Sequence, residues 1–211
     1  TLKLTGDPIV ANMVDGAVAT FYKSMDRVLV PSEWTGNMVK EMGIEPNKIQ
    51  QVARGIDLNL FKPTRHSKDA YVRYGLNGEP KLLYVGRVSK EKNLHELVET
   101  FEKVREEHAD ARLVIVGDGP FTDELRSMFP SDGVVFTGMV RGEELASLYA
   151  SSDIFVFPSE TETFGNVVVE AQAAGLPVVV SNRGAAKENV VQGVTGFVCD
   201  SRDAVQTSEH T

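Results

Sequence analysis

The chain has 211 residues, of which 42% are hydrophobic, 25% charged and 8% aromatic, and its net charge is −8. These proportions exclude a disordered, collagenous or disulfide-stapled chain, and the acidic balance argues against broad binding to nucleic acid or to an anionic membrane. The single cysteine, Cys199, cannot close an intrachain disulfide and fits a reducing compartment. No apolar run approaches the roughly 20 residues of a membrane span, and no signal-peptide pattern opens the chain. A cytoplasmic location is expected, with the cytoplasmic membrane face as a variant of it.

Val10, Met13, Val14, Ala17, Val18, Phe21, Tyr22 and Met25 recur at spacings of three and four, which predicts an amphipathic helix. Arg27 to Val30 reads as a short buried strand stopped by Pro31. Ser32 is a natural N-cap for a second helix and Gly43 its natural stop. A short strand follows at Ile49 to Ala53. From Arg54 to Pro80 the period is lost, and prolines, glycines and mixed charges predict a linker with one helical turn near Tyr71.

After Pro80 strands and helices alternate. Lys81–Val85, Arg112–Val116, Val134–Phe136, Ile154–Phe157, Pro177–Ser181 and Gly196–Cys199 read as strands. Leu94–Val104, Phe121–Phe129, Glu143–Ala150 and Asn166–Ala174 read as helices, with a weaker one near Lys187. Continuous apolar strands separated by helices predict an α/β domain, a Rossmann-like parallel sheet with helices on both faces. Its ligand is expected beyond the C-terminal strand ends. The two strands and two helices at the start are too few for a core of their own. The last residues, Asp200 to Thr211, are polar and carry no closing helix. The expected organisation is therefore a fragment: 1–62 closing one domain, 63–80 a linker, 81–200 a Rossmann-like domain and 201–211 a truncated tail.

Two connections carry chemistry. Gly86, Arg87 and Lys92 lie between a strand and a helix, where two cations and helix-start N–H groups form either an anion site or an ordinary solvated loop. The Gly117-Asp-Gly-Pro120 turn is weaker, since glycines after a strand usually serve turning only. Pro158 to Ala171 also joins a strand to a helix, and in it Glu162 and Glu170 stand eight positions apart. With Glu162 in the loop and Glu170 about one turn into the helix, both carboxylates can face one crevice and accept from vicinal hydroxyls. Gly165 leaves room for backbone N–H groups to approach a phosphate. The competing reading makes Glu162 a helix N-terminal charge and Glu170 a surface residue.

The Glu162-x7-Glu170 pattern resembles the E-x7-E motif of the family 4 retaining glycosyltransferases of GT-B fold. The Gly86-Arg-Val-Ser-Lys-Glu-Lys-Asn93 loop, the Gly117-Asp-Gly-Pro120 turn, Phe136-Thr-Gly138, and Gly175-Leu-Pro-Val178 through Gly193-Val-Thr-Gly-Phe197 are similar to that family in order. So is Val30-Pro-Ser32 with Arg54-Gly-Ile-Asp57, which in the family closes the N-terminal domain. The resemblance implies that 1–62 is the end of an N-terminal GT-B domain and 81–200 a nucleotide-sugar-binding domain. It implies transfer of a sugar, with retention, from a UDP-, GDP- or ADP-sugar to a saccharide, lipid or small-molecule acceptor.

Carried over, Arg87 and Lys92 hold the donor diphosphate and stabilise it as it leaves, so that no metal and no other cofactor is needed. Glu162 and the backbone of Thr163, Phe164, Gly165 and Asn166 hold the sugar and phosphate. Glu170 accepts from the ribose hydroxyls, and the Gly138-Met139-Val140 backbone contacts the base. The resemblance also implies that most of the first domain, with the acceptor site, is missing, so the fragment alone is inactive. The alternatives are a non-catalytic nucleotide-sugar-binding module and a nucleotide-sugar epimerase of the same fold. His66, His95, His108 and His210 read as surface or linker residues, and Trp34 and Cys199 as packing.

Overall fold

The computed structural model of the chain describes residues 8–129 and 133–200. The expected tail 201–211, with His210, lies outside them. The chain divides into two compact units between Arg54 and Gly55.

The first unit contains α1 (Pro8–Lys23), β1 (Val28–Val30), α2 (Glu33–Glu41) and β2 (Ile49–Gln51). Ser32 caps α2, its Oγ accepting from the Thr35 N–H at 3.1 Å, and Gly43 follows the helix at φ +81°. β1 and β2 pair in parallel over a small core of Val28, Val30, Val39 and Ile44, against which Tyr22 and Met25 pack. Most of the apolar face expected of α1 is uncovered: Met13 and Phe21 are 71% and 59% exposed. Two paired strands and a nine-residue helix offer too little surface to bury it. No helix among the described residues is long and apolar enough to cross a membrane.

The second unit is an α/β layer structure. Its strands are β3 (Lys81–Val85), β4 (Arg112–Val116), β5 (Val134–Gly138), β6 (Ile154–Phe157), β7 (Val178–Ser181) and β8 (Gly196–Cys199). Its helices are α3 (Leu94–Glu107), α4 (Thr122–Met128), α5 (Gly142–Ala150) and α6 (Asn166–Ala173). All six strands are parallel, in the order β5-β4-β3-β6-β7-β8. Leu82 to Val85 and Leu113 to Val116 are buried along their whole length, as strands covered on both faces must be. Leu94, Leu97 and Phe101 of α3, Leu125 of α4, Tyr149 of α5 and Val168 of α6 supply the covering layers.

The segment expected as a linker is built into this unit. Phe61, Tyr71 and Leu76 are buried in its core, and two single 3-10 turns, Pro63–Arg65 and Val72–Tyr74, interrupt the segment. Polar contacts strap it to α5 and the residues just after it: Arg65 to Glu143 at 2.9 Å, Arg73 to Glu144 at 2.6 Å, Ser67 N–H to Ser151 Oγ at 3.0 Å, and Tyr71 to Ser152. Three buried side chains so widely spaced leave no period in the sequence.

The chain winds outward from β3 to β4 and β5, then returns to place β6 against the other side of β3. The connections after β3 and β6 therefore leave neighbouring strand ends at the reversal of strand order, where open sheets of this kind bind ligands. The connections after β3, β4 and β5 are knitted by backbone bonds: Gly86 N–H to Val116 O, Val88 N–H to Asp118 O and Gly117 N–H to Gly138 O, all 2.8–3.1 Å. This contact requires the glycines of the Gly117-Asp-Gly-Pro120 turn. A Cβ on Gly117, at φ +130°, would lie 1.9 Å from Gly86 O, and one on Gly119 2.1 Å from Val88 O. These glycines thus serve close approach as well as turning.

Gly117→Ala is expected to lower the unfolding free energy by at least about 2 kcal/mol, combining backbone strain with overpacking. Gly55→Ala, where a Cβ meets nothing within 4 Å, should change it by no more than about 0.5 kcal/mol. Urea denaturation of the two variants reads the difference, and equal effects would contradict the packing role of the turn.

Candidate functional site

The connection after β3 runs through Gly86 and Arg87 into a 3-10 turn at Lys90–Lys92, then Asn93 at φ +53° and α3. A left-handed conformation is tolerated by asparagine better than by most residues. Tyr84, fully buried, donates its phenol to the Arg87 carbonyl at 3.0 Å, and burial pushes that phenol's pKa up. Arg87 itself is exposed, and Lys92 is 16% exposed at its side chain.

The connection after β6 runs from Pro158 to Gly165, which stands at φ +86° as the N-cap of α6. It is cradled by the connection after β7: Ala185 N–H donates to Glu162 O at 3.2 Å, and Asn189 Nδ2 donates to Phe164 O at 2.6 Å. A Cβ on Gly165 would lie 3.2 Å from Ala186. The missing side chain therefore also permits this cradle, which the phosphate argument alone does not anticipate.

The two connections meet. Lys92 Nζ and Glu162 Oε1 are 2.6 Å apart, with 16% and 22% of their side chains exposed. Ser159 Oγ donates to the same oxygen at 3.3 Å, and Thr161 Oγ1 donates to Glu91 O at 3.4 Å. A cation and an acceptor are thus held together at the strand-order reversal between β3 and β6. The Glu91 carboxyl is held below its usual range chiefly by its own backbone N–H.

Glu170 lies in the second turn of α6, half-buried, and Oε2 accepts from Tyr149 Oη at 2.9 Å. Burial pushes the Glu170 carboxyl up, and the Tyr149 hydrogen bond opposes that shift. The two glutamates, one on the connection and one on the helix it enters, therefore have different partners: a lysine for Glu162, a phenol for Glu170. Met139 and Val140 follow β5, two strands from β3; Met139 is 66% exposed and its Sδ accepts from Arg141 Nη2 at 2.9 Å. Further along the same sheet end, burial pushes Glu96 up to about 7, and Glu160 and Glu99 add to it.

Sequence spacing did not reveal the Lys92–Glu162 pair, the Tyr149–Glu170 bond or the close-approach role of Gly117 and Gly119. Lys92 and Glu162 are 70 positions apart, and only the adjacency of β3 and β6 brings them together. His66, His95 and His108 are exposed and take no part. Among the described residues no group of three or more His, Cys, Asp or Glu side chains could hold a metal ion. A hollow of about 200 Å³ in the first unit is lined by Phe21, Tyr22, Met25 and Val28, with Arg27 its one charged residue. Without converging charges it is the poorer candidate.

A family model described as Glycosyl transferases group 1 matches residues 79–210. The chain belongs to the group 1 glycosyltransferases. It is 36% identical over 189 residues to the sulfoquinovosyl transferase SQD2 of Arabidopsis thaliana, covering 86% of this chain and 36% of that protein. It is also 36% identical over 191 residues to a GDP-mannose-dependent alpha-mannosyltransferase of Corynebacterium glutamicum, covering 90% of this chain and 44% of that protein. It therefore spans less than half the length of either relative. Among solved structures, Anabaena Alr3699/HepE in complex with UDP-glucose superposes with a TM-score of 0.78 at 21% identity, over 92% of this chain and 58% of that one. The sheet order and this likeness agree with the GT-B fold, and the family match with its curated relatives agrees with a glycosyltransferase of family 4.

The Lys92–Glu162 contact makes a stability prediction for the unliganded chain. Lys92→Met and Glu162→Met should each cost about 1–3 kcal/mol, because each leaves a half-hidden charge without its partner. The double variant should cost clearly less than the sum. Denaturation of the four proteins reads the coupling, and strict additivity would contradict the pair.

Proposed function

We propose that this chain carries the donor-binding half of a retaining glycosyltransferase and takes a nucleoside-diphosphate sugar, a UDP-, GDP- or ADP-sugar, between the connections after β3 and β6. The observation that supports this best is the 2.6 Å pairing of Lys92 with Glu162 at the strand-order reversal. It sets a cation suited to phosphate beside an acceptor suited to sugar hydroxyls.

In this reading the donor diphosphate takes Lys92, with Arg87 as the second cation. Negative charge develops on the diphosphate as the sugar–phosphate bond breaks, and two fixed cations stabilise it more as it grows. They fill the role of a divalent cation, so the reading needs no metal. Losing Lys92 to the phosphate releases the Glu162 carboxylate to accept from hydroxyls of the transferred sugar. The backbone of Thr163, Phe164, Gly165 and Asn166, at the N-terminus of α6, holds the sugar and phosphate. Gly86 starts the turn that aims Arg87. Glu170 accepts from the ribose hydroxyls, and Gly138, Met139 and Val140 meet the base with their backbone.

A nucleotide-sugar donor is supported by the UDP-glucose bound to the Anabaena protein and the GDP-mannose named for the Corynebacterium enzyme. The E-x7-E reading of Glu162 and Glu170 is supported by the different partners of the two carboxylates. One sits beside a cation, where a phosphate would also sit. The other lies in the second turn of the helix, beside a neutral phenol. The acceptor, a saccharide, lipid or small molecule, binds to protein outside this chain. By itself the chain binds donor without turnover, and the whole protein works in the cytoplasm or at the cytoplasmic membrane face.

Titration of the chain with UDP, GDP and ADP and with the matching nucleosides tests the phosphate roles. Arg87→Ala or Lys92→Ala should weaken the best-bound diphosphate by about 10- to 100-fold, since a charge-assisted contact contributes about 1.5–3 kcal/mol. The nucleoside should lose little. Equal losses for diphosphate and nucleoside would contradict the assignment.

A further inference from the structure

Four aromatic rings make a continuous run through the core: Tyr84, Phe157, Phe155 and Tyr149, with successive centroids 5.9, 5.8 and 5.7 Å apart. Both end rings are tyrosines with no exposed surface, and both use the hydroxyl on the site. Tyr84 donates to the Arg87 carbonyl, and Tyr149 donates to Glu170 Oε2 at 2.9 Å. Phe61 packs edge-on against Tyr149 at 5.7 Å. The Tyr149 ring is thus gripped by Phe61 and Phe155, and its phenol has one direction in which to point.

We infer that Tyr149 is a positioning residue that fixes the Glu170 carboxylate for a vicinal diol, and so sets the preference of the site for ribose over deoxyribose. The inference rests on the ribose reading of Glu170 given above. A free glutamate samples several rotamers, and binding must stop that motion at an entropic cost. The buried phenol removes that freedom beforehand by holding Oε2. Oε1 and a second lone pair of Oε2 remain as acceptors. A neutral phenol serves this purpose better than a lysine would, because it orients the carboxylate without neutralising it.

Protonation gives a second signature. A carboxylate accepts from two hydroxyls only while ionised. Burial raises the Glu170 pKa and the Tyr149 bond lowers it, so removing the phenol should raise it further. Ribonucleotide affinity, lost as pH falls through the Glu170 pKa, would then begin to fall at a higher pH. Other charges on the elements packed against α6 are engaged elsewhere or exposed. Glu143 and Glu144 of α5 pair with Arg65 and Arg73, Lys187 donates to Asn182 O, and Glu188 is exposed.

The test compares UDP, GDP or ADP, whichever of the three the chain binds most tightly, with its 2′-deoxy counterpart, by calorimetry between pH 5 and pH 8. Tyr149→Phe is expected to lower ribonucleotide affinity about tenfold while leaving the deoxynucleotide unchanged, and to move the acid limb of ribonucleotide binding to higher pH. If Tyr149→Phe does not fold, 3-fluorotyrosine at position 149 keeps ring and hydroxyl but donates more strongly, and should move the limb to lower pH. If Glu170→Gln abolishes the ribose preference while Tyr149→Phe or the fluorinated residue leaves preference and limb in place, Tyr149 only packs and the inference falls alone. If the unaltered chain binds ribo- and deoxynucleotide equally, the ribose reading of Glu170 falls and takes the inference with it.

Discussion

One contact ties the site together: a lysine after β3 and a glutamate after β6, 2.6 Å apart and mostly shielded from water. Neither connection could reach the other if β6 had been added outside β5. The returning path of the chain, which sets β6 against β3, is what makes the pair possible. An ion pair so shielded is not by itself a large source of stability, because desolvation offsets much of the attraction. Its interest lies in what it holds ready. In the proposed reading a phosphate replaces Glu162 on Lys92, and the displaced carboxylate then has hydrogen-bond capacity for a sugar.

The rest of the second unit serves to keep these two connections in register. The Arg87–Lys92 connection is backed by the turn at Gly117 and Gly119, where backbone meets backbone too closely for any side chain. The Glu162 connection is backed by the segment after β7, where Gly184 allows Glu160 O to approach in the same way. Below them the run from Tyr84 to Tyr149 ends at each side in a phenol bonded to a site residue. Rings of this size, packed at interior density, leave little room for either connection to shift independently. The segment 55–80 joins this framework through Phe61 and Tyr71, so the support of Glu170 begins well before the sheet does.

Much of this was legible in the sequence, for identifiable reasons. Strands such as Arg112–Val116 are continuous apolar runs because both faces of a parallel sheet are covered, and every strand and helix expected after Pro80 is present to within three residues, the weak helix near Lys187 as a 3-10 turn. Ser32 and Gly43 carried the cap chemistry of α2 in their identities. The candidate site residues on loops stand out in the sequence because charged residues and glycines between strand and helix carry a chemical meaning at a sheet end. What spacing could not show is contact between distant positions. Tyr149 reads as one more apolar residue of α5, although its hydroxyl meets Glu170. The 55–80 segment reads as a linker because its buried residues follow no period, and the apolar stripe of α1 does not reveal that its own unit leaves it uncovered.

A crystal structure of the chain with UDP, GDP or ADP tests the central claim most directly, because it locates the phosphates relative to Lys92. The account predicts the terminal phosphate within about 3 Å of Lys92 Nζ, a hydrogen-bond distance, with Glu162 released from that ammonium. A nucleotide bound with the Lys92–Glu162 pair intact and its phosphates away from the connections after β3 and β6 would contradict it.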